Sequence, residues 1–309
     1  IVNSGDIISS NDDNVTLTYL NAFPNEFPLI PLKTGDFDAV ALSETSLDIM
    51  QDYKDPRLMR YARPNNDRYD VYRFEFIEPI EIEDPMEADS LTIIGMDTIY
   101  FDLDTVRQFT GAVNGSSTAD CPKSGSRLGI QYYNYPNLRQ AANLEDPLPI
   151  AEGIVMTYAE VEFLLAEAAA KGWINDNVED HYRAGIQASN DYYLVDYEAF
   201  GWTGFEDYYN NSGVAYNEVT DIWEQKWLAL FFHGLEPYFE VRRWYFESGL
   251  DFAGIPFLEA ACDNLNNDRL PLRFLYPGEE QSLNAINYDE AIKEIGGSNS
   301  QNAAIWLVQ

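Results

Sequence analysis

The feature that most restricts this chain is a pair of punctuated helical segments between Thr157 and Leu194. Thr157 and Glu160 have the T-x-x-E spacing of a capping box, in which hydroxyl and carboxylate take up orphan backbone donors at a helix start. Val161, Leu164, Leu165 and Ala168 follow at helical spacing and are expected to face the core. Gly172 supplies a left-handed stop. After a short connection a second helix is predicted from Val178 to Leu194, with Tyr182, Ile186 and Tyr193 along one face. Ala184, Gly185 and Ala188 are small enough to let a neighbouring helix come close. Two helices joined by so short a loop pack antiparallel, as in tetratricopeptide units.

The same logic recurs downstream. Asn217 to His233 carries Ile222, Trp223, Trp227, Leu230 and Phe231 and ends at Gly234. Pro237 opens a further helix through Glu247, and a last one, Tyr288 to Ile295, stops at Gly296-Gly297. The first half is less regular. Pro24, Pro28 and Pro31 mark turns, and Ser43 caps a short helix to Gln51 that must end before Asp55-Pro56. Tyr72, Phe74 and Phe76 alternate with Arg73 and Glu75 as a strand would, and Thr98 to Leu103 reads as a second strand. Residues 111–149 read as a long, decorated loop. The expected fold is mostly α: tetratricopeptide-like helix pairs with irregular loops and short-strand insertions. Residues 1–309 form one domain, with 1–155 loop-rich and variable and 156–309 helical.

Charge removes several function classes. The chain has 52 acidic and 19 basic side chains, a net charge of −33. Such a field repels phosphate backbones, so nucleic acid is not an expected partner. Apolar residues at 46% and aromatics at 14% exclude an acidic disordered chain. The bases of residues 54–73 and the acids of residues 75–89 read as mutual solvation across one surface. Cys121 and Cys262 are far apart and lack a CxxC spacing, so buried free thiols are the ordinary expectation. His181 and His233 fall on predicted helices without an HExxH pattern, and no metal or other cofactor is expected. No apolar run reaches the length of a membrane span, and the sequence opens at Ile1 without a basic-plus-apolar leader, as in a processed or cut-down chain. No nucleophile elbow, phosphate loop, dinucleotide fingerprint or calcium loop is present, so no catalytic residue is nominated.

Aromatic loops are the remaining signal. The chain has 6 Trp, 21 Tyr and 17 Phe, more than helix faces alone require. Flat rings with polar rims suit the apolar faces of sugars. The ligand-binding candidates are Tyr69 and Tyr72, the cluster Tyr132, Tyr133 and Tyr135, and Trp202 with Tyr208 and Tyr209. Asn134, Asn137 and Asn210 stand beside them as hydrogen-bonding partners. The competing reading is that each ring packs its loop onto the helices.

Several segments together resemble one family. They are KDPRL (residues 54–58), MTYAEVEFLLAEAAAKGW (156–173), HYRAGIQAS (181–189), EQKWLALFFHGLEPYFEVRRW (224–244), RLPLRFLYPGEEQSLN (269–284) and AIKEIGG (291–297), followed by Ala304-Ile305-Trp306. In this order they resemble the SusD/RagB family of nutrient-binding outer-membrane lipoproteins. The resemblance implies a surface-exposed, lipid-anchored protein that captures an oligosaccharide without cleaving it. It would deliver that glycan to a TonB-dependent transporter of the SusC type. It also implies that this chain corresponds to the C-terminal three-fifths of such a protein, the anchor and first helices lying before it. The family's ligands are held by variable loops, so no ligand residue carries over. The alternatives are a glycoside hydrolase on a helical fold, which needs an acid pair facing the aromatic loops, or a binder of peptide or another nutrient.

Overall fold

The computed structural model describes residues 7–19, 40–62, 109–114, 125–129, 152–262, 264 and 266–303. Helices dominate it, as the periodicity predicts. The expected strands at 72–76 and 98–103, and most of the expected loop at 111–149, lie outside the described residues. In chain order the elements are β1 (Val15–Leu17), α1 (Glu44–Asp52), α2 (Leu58–Tyr61), β2 (Gly153–Met156), α3 (Tyr158–Ala170) and α4 (Val178–Tyr192). Then come α5 (Phe205–Asn211), α6 (Val219–Ala229), α7 (Glu236–Glu247), α8 (Gly278–Leu283) and α9 (Ala285–Glu294). β1 and β2 pair antiparallel, with Val15 opposite Met156 and Leu17 opposite Gly153.

The α3–α4 pair forms as expected, but the inward stripe of α3 is different. Phe163 is fully buried between Ala159 and Ala166, and these three face α4. Leu164, assigned to the core by spacing, is 38% exposed, and Val161, Leu165 and Ala168 are only half-buried. Alanine and leucine are so dense in this helix that two overlapping stripes fit the same period. The partner decides: a Cβ on Gly185 of α4 would stand 3.0 Å from the Phe163 ring, so the ring sits where that glycine opens space. Tyr182 meets Phe163 edge-on at 6.1 Å and donates from its hydroxyl to the Val214 carbonyl at 2.7 Å.

Caps also follow the sequence, with one exchange. Ser43 accepts from the Ser46 amide (3.1 Å) and Thr157 from the Glu160 amide (3.2 Å). Glu160 does not reach back to complete a box. Its Oε2 is buried and 3.8 Å from Nδ1 of His233. The reciprocal box forms instead at α6, where Glu218 and Asp221 cap each other's backbone.

A polar knot ties α1 and α2 to the helix layers. Asp55 and Arg57 are both fully buried. Arg57 donates to Asp55 through Nε (3.0 Å) and Nη2 (2.5 Å), and to Gln225 of α6 at 2.6 Å. Tyr208 of α5 donates to the remaining lone pair of Asp55 at 2.8 Å. Both charges have their hydrogen bonds met within the protein, which is the condition for carrying a charge inside it.

A second charged assembly joins α3, α6 and α7. Arg243 binds Glu167 at 2.5 and 2.7 Å and Glu240 at 2.7 Å. Lys226, almost wholly buried, reaches Glu240 at 2.8 Å, while Lys171 bridges Glu167 and Glu247. Burial opposes ionisation of Glu167 and Glu240, but their cationic partners overcome it and hold both carboxyls below the ordinary 4.5. The unfolded chain therefore takes up protons first. This contribution to stability is complete above about pH 4.5 and is lost as pH falls through the lower folded-state values. Glu167→Gln is expected to lower stability at pH 7 and to shallow its fall between about pH 5 and 3. Urea unfolding at each pH measures this; an unchanged slope on the acid side means Glu167 is not coupled to Arg243.

Candidate functional site

The aromatic candidates divide sharply. Tyr208 and Tyr209 are 0% and 3% exposed, because residues 205–211 form helix α5 and turn both rings into the core. The Tyr208 hydroxyl is used by Asp55, and the Tyr209 ring packs against Phe205 at 5.9 Å. Neither offers a face to a ligand, so both expectations are corrected to packing. Trp202 is half-buried, edge-on to Tyr208 at 5.9 Å, with Nε1 donating to the Lys54 carbonyl at 2.9 Å. That hydrogen bond ties its loop to the end of α1. Asn210 is exposed, but its amide donates to the Glu206 carbonyl at 2.7 Å. Tyr69, Tyr72, Tyr132, Tyr133, Tyr135, Asn134 and Asn137 lie outside the described residues.

The candidate site is a cavity of about 590 Å³ between α1, the middle of α6 and the 256–262 segment. Serine capping starts α1 at Glu44, which places Glu44, Asp48 and Asp52 one turn apart on one face, and all three line the cavity. Gly111 lets the 109–114 segment lie against the backbone of Glu44, where a Cβ would come within 2.1 Å of its Cα. That contact, with the Glu44 amide donating to Ala112 at 2.8 Å, carries Val113 and Asn114 into the wall. Glu224 lines the α6 side, and Phe257 and Glu259 close the far side.

The chemistry is acidic with an aromatic face. Five carboxylates line the cavity, and no Lys or Arg stands among its described lining residues. Burial, then the charges of Glu44, Asp52 and Glu259, pushes the Asp48 carboxyl above the ordinary aspartate value. Burial also raises the Glu224 carboxyl, although Tyr53 and Gln225 donate to it. The Tyr53 hydroxyl is hydrogen-bonded to Glu224, and burial with that neighbouring charge pushes its phenol well up. The arrangement offers carboxylates and the Asn114 amide to hydroxyl-rich groups, and Tyr53 and Phe257 to apolar faces. No cluster of metal-ligating side chains occurs among the described residues. The E-x-x-x-D-x-x-x-D spacing of α1 was readable in the sequence as one acidic face; the convergence of Asn114, Glu224 and Glu259 on it was not.

Cys262 also lies at this cavity, exposed and disulfide-bonded, which corrects the expected buried thiol. Cys121, the only other cysteine in the chain, is outside the described residues. A thiol at the surface lacks the shielding that keeps a core cysteine reduced.

The chain matches a family model, SusD-like, described as "Starch-binding associating with outer membrane", over residues 1–77 and 98–277. It belongs to the SusD-like family. Solved structures share its fold. A SusD homologue from Bacteroides fragilis is 22% identical with a TM-score of 0.67, over 100% of this SusD-like chain and 60% of its own length. A chitin-binding protein is 21% identical with a TM-score of 0.61, over 98% and 56%. A chitin-binding SusD homologue from Flavobacterium johnsoniae is 18% identical with a TM-score of 0.58, over 98% and 56%. The SusD-like chain thus spans about three-fifths of the length of these relatives. No curated protein sequence matches it.

Proposed function

We propose that this SusD-like chain captures an extracellular oligosaccharide at the outer-membrane surface and passes it, uncleaved, to a SusC-like TonB-dependent transporter. In this reading a lipid anchor holds the protein to the membrane. The family match over residues 1–77 and 98–277 carries the reading. The chitin-binding relatives supply a chemical precedent for the ligand class. The α1–α6 cavity adds a place for it: rings at Tyr53 and Phe257 for the sugar face, and carboxylates to accept hydroxyl protons.

One observation favours a second reading, a glycoside hydrolase. Asp48 and Glu224 have raised carboxyls beside other acids, the pattern of a general acid next to an ionised partner. Binding and cleavage separate in one assay. The protein is titrated with starch, chitin and other oligosaccharides by calorimetry, and each mixture is then analysed for new reducing ends. Saturable heat with at least one glycan and no product beyond one equivalent is expected. Turnover establishes the hydrolase, and absence of binding to every glycan, with binding to peptides, establishes a different nutrient.

A further inference from the structure

One of the five carboxylates at the α1–α6 cavity is held differently from the rest. Among the described residues, Glu224 alone of the five is hydrogen-bonded by other side chains, the Tyr53 hydroxyl and the Gln225 amide. The Gln225 nitrogen stands 3.4 Å from its Oε1. Glu44, Asp48, Asp52 and Glu259 line the same space, and none of them receives a side-chain donor from those residues. Two donors on one carboxylate fix its plane and leave its other lone pairs for a ligand hydroxyl.

The donor on Gln225 is itself aimed from the core. Gln225, Asp55 and Arg57 are all fully buried. Nη2 of Arg57 donates to Oε1 of Gln225 at 2.6 Å and to Asp55 at 2.5 Å. An amide whose oxygen faces a guanidinium has to present its nitrogen the other way. A buried N–H is costly without an acceptor, and Glu224 is the acceptor here. A line of hydrogen bonds through Asp55, Arg57, Gln225, Glu224 and Tyr53 therefore runs from the α1–α2 turn to the cavity wall.

The same line sets the charge of Glu224. Burial raises its carboxyl most, and Asp221 on the same helix raises it further. The hydrogen bonds from Tyr53 and Gln225 oppose this, as does the Arg57 charge behind Gln225. Tyr182 of α4 stands within the field of Glu224, and Glu44, Asp48, Asp52 and Glu259 face it across the cavity. Arg57 is thus the cation that favours the ionised carboxyl against acids on every other side. A group ordered and charged before a ligand arrives spares the ligand the cost of ordering it.

We infer that Gln225 is a positioning residue: held by the buried Asp55–Arg57 pair, it orients Glu224 to accept the hydroxyls of the cavity's ligand. That the ligand is a glycan rests on the binding reading proposed above; the coupling of Gln225 to Glu224 does not. The buried pair then has two tasks, tying α1 and α2 to the helix layers and setting one wall of the cavity.

The test compares the wild type with Gln225→Glu, which keeps an acceptor for Arg57 but replaces the donor to Glu224 by a second carboxylate. Glutamate and glutamine side chains are followed by NMR through a pH titration without ligand, Glu224 being assigned by its loss in Glu224→Gln. In the wild type the Gln225 amide protons are expected to shift as Glu224 takes up its proton. In Gln225→Glu the Glu224 midpoint is expected at higher pH, because a like charge beside it disfavours ionisation. Calorimetry with soluble chitin and starch oligosaccharides is expected to show binding about tenfold weaker at neutral pH. The acid side of the binding profile should move up in pH with Glu224, which a residue serving stability alone would leave in place. An unmoved Glu224 midpoint, or wild-type Gln225 protons that ignore Glu224, overturns the inference. If the variant does not fold, the wild-type amide protons decide alone. If the wild type retains no glycan, the binding reading fails, and the titration still decides whether Gln225 positions Glu224.

Discussion

Asp55→Ala is expected to cost about 3–5 kcal/mol, the penalty for leaving a buried cation without its partner. Among the described residues, the Arg57 side chain would keep the Gln225 carbonyl at 2.6 Å and the Ser189 hydroxyl at 3.4 Å, and Tyr208 would lose its acceptor. The effect should spread, because this knot joins the α1–α2 turn to α4, α5 and α6. Removing both charges, as in Asp55→Ala/Arg57→Met, should cost clearly less than Asp55→Ala alone, since no charge is then stranded. Equilibrium urea unfolding of the three proteins checks this. A double variant worse than Asp55→Ala would mean the pair is a net source of stability.

The second large effect separates two adjacent residues of α3. Phe163→Ala should lose about 3–5 kcal/mol, the usual cost of emptying a buried aromatic site. The ring touches the face of α4 at Gly185 and lies edge-on to Tyr182, so nothing small can collapse into the gap. Leu164→Ala should lose less than about 1 kcal/mol, because its side chain already meets water. Comparable losses at the two positions would show that Leu164 is packed inward as firmly as Phe163.

That contrast shows what the sequence could convey. The α3–α4 pair was legible because caps, a glycine stop and a short connection each restrict the chain locally. The face of α3 was not, since Val161, Leu164, Leu165 and Ala168 satisfy the helical period as well as Ala159, Phe163 and Ala166 do. Only the space above Gly185 breaks the tie. Tyr208 and Tyr209 turned out buried for a related reason. Glycines at 201, 204 and 213 made the stretch read as an open loop, but a short helix fits between them. Aromatic rings then fall inward as the helix forms. The buried charges of KDPRL were readable as a family motif, while their partners Gln225 and Tyr208 are more than 150 residues away. The acidic cavity stayed hidden for the same reason: its walls are distant in the chain.

The central claim is that this SusD-like chain holds an intact oligosaccharide in the cavity between α1 and α6. A crystal structure of the protein soaked with a glycan it retains in calorimetry tests that most directly. The expected result is an uncleaved sugar against Tyr53 and Phe257, its hydroxyls bonded to Asp48, Asn114 or Glu224. An intact sugar bound away from these residues, or cleaved product lying between Asp48 and Glu224, would contradict it.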